Sequence, residues 1–277
     1  MTIALGDKYF EGTYKRIFAA GDIELVNSKI GSIYAAGDVD IKRSEVKKVR
    51  AAGDVNGEEV TLGSAKVVGD IELKGVCTAK DFVAFGDVSA EYLECKCLRF
   101  GFPKAKTNNA PSLSGFYKAE TFELVMPLTL SCEYEFQNII ATGEMRAKAE
   151  IVCTNFYGLA KIFAPAVNAE EVFILTSDGT EIGEVAGTKV TVSKRFEPDR
   201  AFRKLPKTLA VRDADSRGAI IKIGSIEGDK VSVENVCADS ISGIDVEIGD
   251  LCVVEEVAYK NSIRISEKAV VGRIVRL

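Results

Sequence analysis

The chain has 277 residues, 47% of them hydrophobic and 28% charged, with a net charge of −5. This is ample for a sizeable core, and it argues against a disordered chain and against general attraction to nucleic acid. Histidine is absent, which removes Ser-His-Asp triads, Cys-His dyads and histidine general bases in one step.

The opening stretch "MTIALGDKYFEG" has no basic region followed by an apolar one, and nowhere do eighteen apolar residues run together. The expectation is a cytoplasmic protein. Seven cysteines, an odd number, fit reduced thiols better than a disulfide framework.

From Met1 to Phe102 a short unit repeats. Gly-Asp pairs begin at Gly6, Gly21, Gly37, Gly53, Gly69 and Gly86, at intervals of 15 to 17 residues, and Gly101 falls at the next place. Residues after each pair alternate apolar and polar, as in Ile23 and Leu25, Val39 and Ile41, and Ile71 and Leu73. Period-two alternation means strand, and a period near sixteen means one coil stacked on copies of itself. The predicted fold is all-β: a parallel β-helix, or β-solenoid, with coils of about sixteen residues. Gly21 with Asp22, Gly37 with Asp38, Gly53 with Asp54, Gly69 with Asp70 and Gly86 with Asp87 are then structural corner residues. Glycine is expected there for positive φ, and aspartate to accept from N–H groups two residues on in an Asx-type turn. An aspartate row that holds calcium is the less favoured reading, since calcium needs six or more oxygens.

The register breaks at "PKAKTNNAPSLSG" and returns more loosely in "AETFEL", "AKAEIV" and "AEEVFI", which echo "AKDFVAF" and "AEYLEC". Lys194 to Gly218 has little β character and eight Lys or Arg against four acids. Coils resume beyond it. The predicted organisation is a first solenoid segment over 1–102, a second and less regular one over 103–193, a basic insertion over 194–217, and C-terminal coils over 218–277. In the insertion Arg195, Phe196, Arg200, Phe202, Arg203 and Lys204 mix cations with apolar anchors. Such a mixture suits docking on an acidic partner or weak contact with a membrane surface, against the plainer reading of a solvated loop.

The cysteines offer no CxxC pair, and without histidine the usual zinc constellations are missing. Cys95 and Cys97 are expected on one strand face, Cys77, Cys132, Cys153, Cys237 and Cys252 in apolar surroundings, and Cys237 stacked near Cys252. No metal or cofactor site is assigned.

The Gly-Asp coils resemble those of bactofilins, bacterial polymer-forming cytoskeletal proteins. The tail "IEGDKVSVENVCADSISGIDVEIGDLCVVEEVAY" is similar to the closing segment of their longer relatives. The resemblance implies a right-handed parallel β-helix that assembles end to end without nucleotide. The expected function is therefore a non-enzymatic cytoplasmic scaffold that associates with itself through its solenoid ends, "TIALGD" and "AVVGRIVRL", and docks a protein partner. The alternative is a carbohydrate-active or carbohydrate-binding β-helix with a carboxylate-lined groove.

Overall fold

The computed structural model describes residues 2–4, 6–101, 111–195 and 219–277. Among them every regular element is a strand, and the strand pairings are parallel. The fold is a parallel β-solenoid. Partners in adjacent coils lie 15 to 18 residues apart, as in Thr2 with Ile17 and Val167 with Val185, except where the segments after Gly101 and Arg195 intervene. The chain forms two compact units, 1–137 and 138–277.

In the first unit, side chains that point inward stack coil on coil into columns. One column runs Ile17, Ile33, Val49, Ala65, Phe82, Leu98 and Phe122, and each member is 3% exposed or less. A second runs Ile23, Val39, Val55, Ile71 and Val88. Burying one such side chain contributes about 1.5–3 kcal/mol. The columns explain why the alternation is so regular, because a one-residue slip would turn every apolar residue of a coil to solvent.

These coils turn at a Gly-Asp corner, at a left-handed corner and at a third bend beside Gly31 and Gly63. At the Gly-Asp corner, Gly21, Gly37, Gly53, Gly69 and Gly86 do not have positive φ; only Gly6 and Gly101 of the series do. The expected conformational reason for glycine is thus corrected to a spatial one. A Cβ on Gly53 would lie 2.4 Å from Asp38 Oδ1 and 2.7 Å from the Gly37 carbonyl carbon, and Gly37 and Gly69 are equally confined. The left-handed backbone occurs at a different corner, at Asn27, Arg43, Glu59 and Gly75. These also recur every sixteen residues, yet three of the four carry side chains.

In the second unit the strands Ile162–Leu175, Glu181–Ser193, Ile221–Val233, Val236–Ile248 and Val253–Ile265 each bend round most of a coil, and the shorter Val270–Arg276 follows them. Val185, Ile226, Ile241 and Val257 form one inward column and Val190, Val231 and Val246 another. All seven are buried. The bends are lined by stacked glycines: a Cβ on Gly228 would lie 2.5 Å from the Gly187 carbonyl oxygen, and one on Gly243 would lie 2.6 Å from that of Gly228. Gly228-Asp229 therefore sits within a bent strand, a different role from that of the Gly-Asp pairs of the first unit.

Candidate functional surfaces

The aspartate row forms, but its hydrogen bonds run between coils. The amide of Asp38 donates to Asp22 Oδ1 at 2.8 Å, that of Asp54 to Asp38 Oδ1 at 2.8 Å, and that of Asp70 to Asp54 Oδ1 at 2.8 Å. Asp87 continues the series on Asp70 at 2.9 Å, and Ser112 donates from its backbone amide to Asp87 Oδ1 at 2.6 Å. The expected Asx turn, closed within one coil, is replaced by a ladder that fastens each coil to the next. The cause is the parallel stack itself, which puts an aspartate amide directly over the previous carboxylate. The carboxylates of Asp22, Asp38, Asp54, Asp70 and Asp87 are solvent-exposed at residue level. Among the described residues no group of three or more Cys, Asp or Glu is placed to hold a metal ion.

The cysteines divide by side. Cys77, Cys95 and Cys252 are buried, and Cys237 is exposed. Cys95 points inward, level with Ala119, while Cys97 lies past a corner, level with Thr121 and only partly buried. The expectation of a shared face is therefore corrected. So is the expected stack of Cys237 on Cys252: Cys237 lies level with Val253 on the outer side. Burial is the main cause that pushes the thiols of Cys95, Cys97 and Cys153 up to about 12 and that of Cys132 up to about 11. Such thiols are poor nucleophiles at neutral pH.

Of the docking residues expected in the insertion, Arg195 is exposed, and its amide donates to Ser193 Oγ at 3.1 Å. Phe196, Arg200, Phe202, Arg203 and Lys204 lie outside the described residues. The root of the insertion is held by Glu234 of the following coil. Its carboxylate accepts from Ser193 Oγ and from the Lys194 amide, each at 2.7 Å, and meets Lys194 Nζ at 3.3 Å. Burial alone would raise the Glu234 carboxyl, but these donors outweigh it and hold the group below its ordinary value.

The outermost coils of the two units differ. At the start of the first unit Phe10 lies over Leu25 and Tyr14 over Ile30. Their rings meet edge to face at 5.3 Å and 78°, so two aromatics cover the mouth of the core. The last coil of the second unit has no such cover. Ile274 continues the column of Val185, Ile226, Ile241 and Val257, yet it is 52% exposed where Val257 is 0%. Val271, over the buried Val254, is only partly covered as well. The amphipathic alternation of the sequence showed both edges, but not which was covered, because the covering rings come from within the coil.

A groove of about 340 Å³ runs along the outside of the second unit beside Lys189, Lys230, Asp245, Glu247 and Arg264. Its two carboxylates are already engaged. Asp245 accepts from Asn261 Nδ2 at 2.7 Å and Ser262 Oγ at 2.5 Å, which lowers its carboxyl below the usual range, with Ser262 the larger cause. Glu247 pairs with Arg264 at 3.4 Å.

Compared with models of protein families, with curated proteins and with solved structures, the chain gives no match.

Proposed function

We propose that this protein is a non-enzymatic cytoplasmic scaffold of bactofilin type, which self-associates through an open solenoid end and presents its flanks to a protein partner. The observation that carries this reading is the half-exposed Ile274 on the strand Val270–Arg276, at the end of a column that is otherwise sealed. The outer edge of this strand offers N–H and C=O groups for pairing, and a second strand edge satisfies them at least cost. The ladder supports the same reading, since the aspartate carboxylates serve the backbone. A carbohydrate-active reading would draw on Asp245 and Glu247, whose oxygens are held by Asn261, Ser262 and Arg264.

Sedimentation velocity over a range of concentrations tests this. The native protein should form dimers or larger species, and Ile274→Lys should shift it towards monomer with its β circular dichroism unchanged. A native chain that stays monomeric at high concentration, or an equally associated variant, would remove end-to-end assembly.

A further inference from the structure

One face of the first unit has a charge order that the scaffold reading does not use. It is the outer side of Ile17–Ala19, Ile33–Ala35, Glu45–Ala51 and Thr61–Val67. Across the first of these coils the outward residues run Lys15, Arg16, Phe18, Ala20 and Asp22; two coils on they run Lys47, Lys48, Arg50, Ala52 and Asp54. The coil between them places Gly31, Ser32, Tyr34, Ala36 and Asp38 at the same stations. The Thr61–Val67 coil places Gly63, Ser64, Lys66, Val68 and Asp70 there. Each coil thus passes through an aromatic or cationic station to a small apolar strip and ends on the aspartate ladder, and two of the four start from a basic edge.

The centre of the face is pre-ordered. Phe18 and Tyr34 stack at 5.0 Å and 13°. The Arg16 guanidinium lies 5.8 Å from the Phe18 ring, and Arg50 lies 5.7 Å from the Tyr34 ring. Ile3, 63% exposed, extends this column beyond Phe18. Among the described residues Lys15, Arg16, Lys47, Lys48 and Arg50 enter no ion pair.

We infer that this face pairs side by side with the same face of a second copy, the solenoid axes parallel and related by a two-fold running along them. That rotation exchanges the two edges of the face. It therefore sets the Lys15–Lys48 edge of each copy against the aspartate ladder of the other, coil opposite coil, with Phe18, Tyr34 and the alanine strip between. Because both copies share one coil spacing, about 4.8 Å, the match falls at the first and third coils of the face together. An antiparallel pair would instead oppose lysine to lysine and aspartate to aspartate, so electrostatics selects the direction as well as the partner. The face is about 20 Å across, from seven steps of roughly 3.3 Å allowing for the corner, and about 20 Å long. That footprint belongs to weak, transient interfaces. The contact is distinct from the open end of the second unit and does not depend on it.

The test is sedimentation equilibrium in the Ile274→Lys background, which silences the end contact. At low salt this protein should dimerise, and about 0.5 M salt, where charges are screened within a few ångströms, should weaken the dimer at least tenfold. Lys47→Glu with Lys48→Glu should abolish it. Asp38→Asn with Asp54→Asn should weaken it while sparing the fold, because the amide oxygen still accepts from the next coil. In a Cys237→Ser version, Phe18→Cys should crosslink to itself through a short bis-maleimide, as only the parallel pair places it beside its own copy. No dimer at low salt, a salt-resistant one, or one unmoved by the lysine reversals overturns the inference. Binding of a monomer through Lys47 and Lys48 to phosphatidylserine vesicles would also overturn it and assign the face to a lipid surface.

Discussion

The Asp54 amide donates to Asp38 Oδ1 at 2.8 Å, while the Asp54 carbonyl accepts from the Val39 amide at 2.9 Å. One residue thus grips the previous coil with both halves of its backbone, and the previous aspartate supplies its side chain for one of the two bonds. Repetition through Asp22, Asp38, Asp54 and Asp70 makes the corner a hydrogen-bonded ladder between coils.

The first prediction separates acceptor from charge. Asp54→Ala removes the oxygen that receives the Asp70 amide at 2.8 Å and should cost about 1 kcal/mol, with water replacing part of the loss at this exposed site. Asp54→Asn keeps an acceptor and should cost less than half as much. Urea unfolding of the two variants measures the difference. Equal costs would mean that the negative charge, not the acceptor, holds the ladder. Millimolar calcium should leave the melting temperature of the native protein unchanged.

The Gly-Asp and left-handed corners predict opposite glycine effects. Gly53→Ala places a methyl group against Asp38 Oδ1 and the Gly37 backbone, a rigid obstacle, and should cost about 1–3 kcal/mol. Glu59, at φ 52°, occupies backbone space that disfavours a side chain by about 1–2 kcal/mol. Glu59→Gly should therefore be neutral or stabilising despite its greater unfolded-state entropy. Thermal unfolding of both variants provides the comparison, and destabilisation by Glu59→Gly would show that its side chain supports the corner.

Much of this architecture was legible in the sequence, and particular residues show where legibility stopped. The Gly-Asp period located coils and corners because stacking forces one unit to recur. It did not show that the glycines answer to crowding, since a steric demand from the neighbouring coil leaves the same letter as a demand for positive φ. The echo of "AKDFVAF" in "AETFEL" was sound: Ala79 lies level with Cys95, and Cys95 with Ala119. The echo in "AEYLEC" was out of register, because the coil-mate of Ala79 is Cys95, at the end of that stretch. The split of Cys95 from Cys97 was hidden for a related reason. A corner between two residues turns i and i+2 to different sides, and alternation alone does not mark it. The left-handed corner leaves no mark in the sequence, as Asn27, Arg43 and Glu59 share a backbone conformation but no residue type.

Thiol labelling at pH 8 should follow burial. Cys237, on the outer surface, should react with a maleimide within minutes. Cys77, fully buried, and Cys95, with its thiol raised to about 12 chiefly by burial, should react only on unfolding. Mass spectrometry of the labelled protein reads the order, and early modification of Cys95 would mean that its coil opens locally.

Glu234 sets a pH dependence. Its folded carboxyl is held below the ordinary value by Ser193 and Lys194, so the unfolded chain binds the proton more readily. The resulting stability is present above the unfolded value, about 4.3, and is lost as pH falls through the lower folded value. Glu234→Gln should reduce stability at pH 7 and flatten the slope between pH 5 and pH 3. An unchanged slope would assign the acid sensitivity to other carboxylates, such as Asp250, which Ser266 and Lys268 also hold low.

The last prediction concerns the segment that follows Arg195. The coils on its two sides are paired directly, Val185 with Ile226 and Val192 with Val233, so the core does not need the segment to bring them together. Deleting 196–218 would leave Lys194, Arg195, Ala219 and Ile220 to join Ser193 to Ile221. Four residues fall between the five that join Leu175 to Glu181 in the preceding coil and the two that join Val233 to Val236 in the following one. A connector of that length closes a coil of this cross-section, and changing the length of a connector carries little entropic cost. The deletion variant should keep its β circular dichroism and melt within a few degrees of the native chain. If Arg195 and the residues after it dock a partner or an anionic surface, that binding alone should be lost. A large fall in melting temperature would mean that the segment packs on the solenoid as part of the fold.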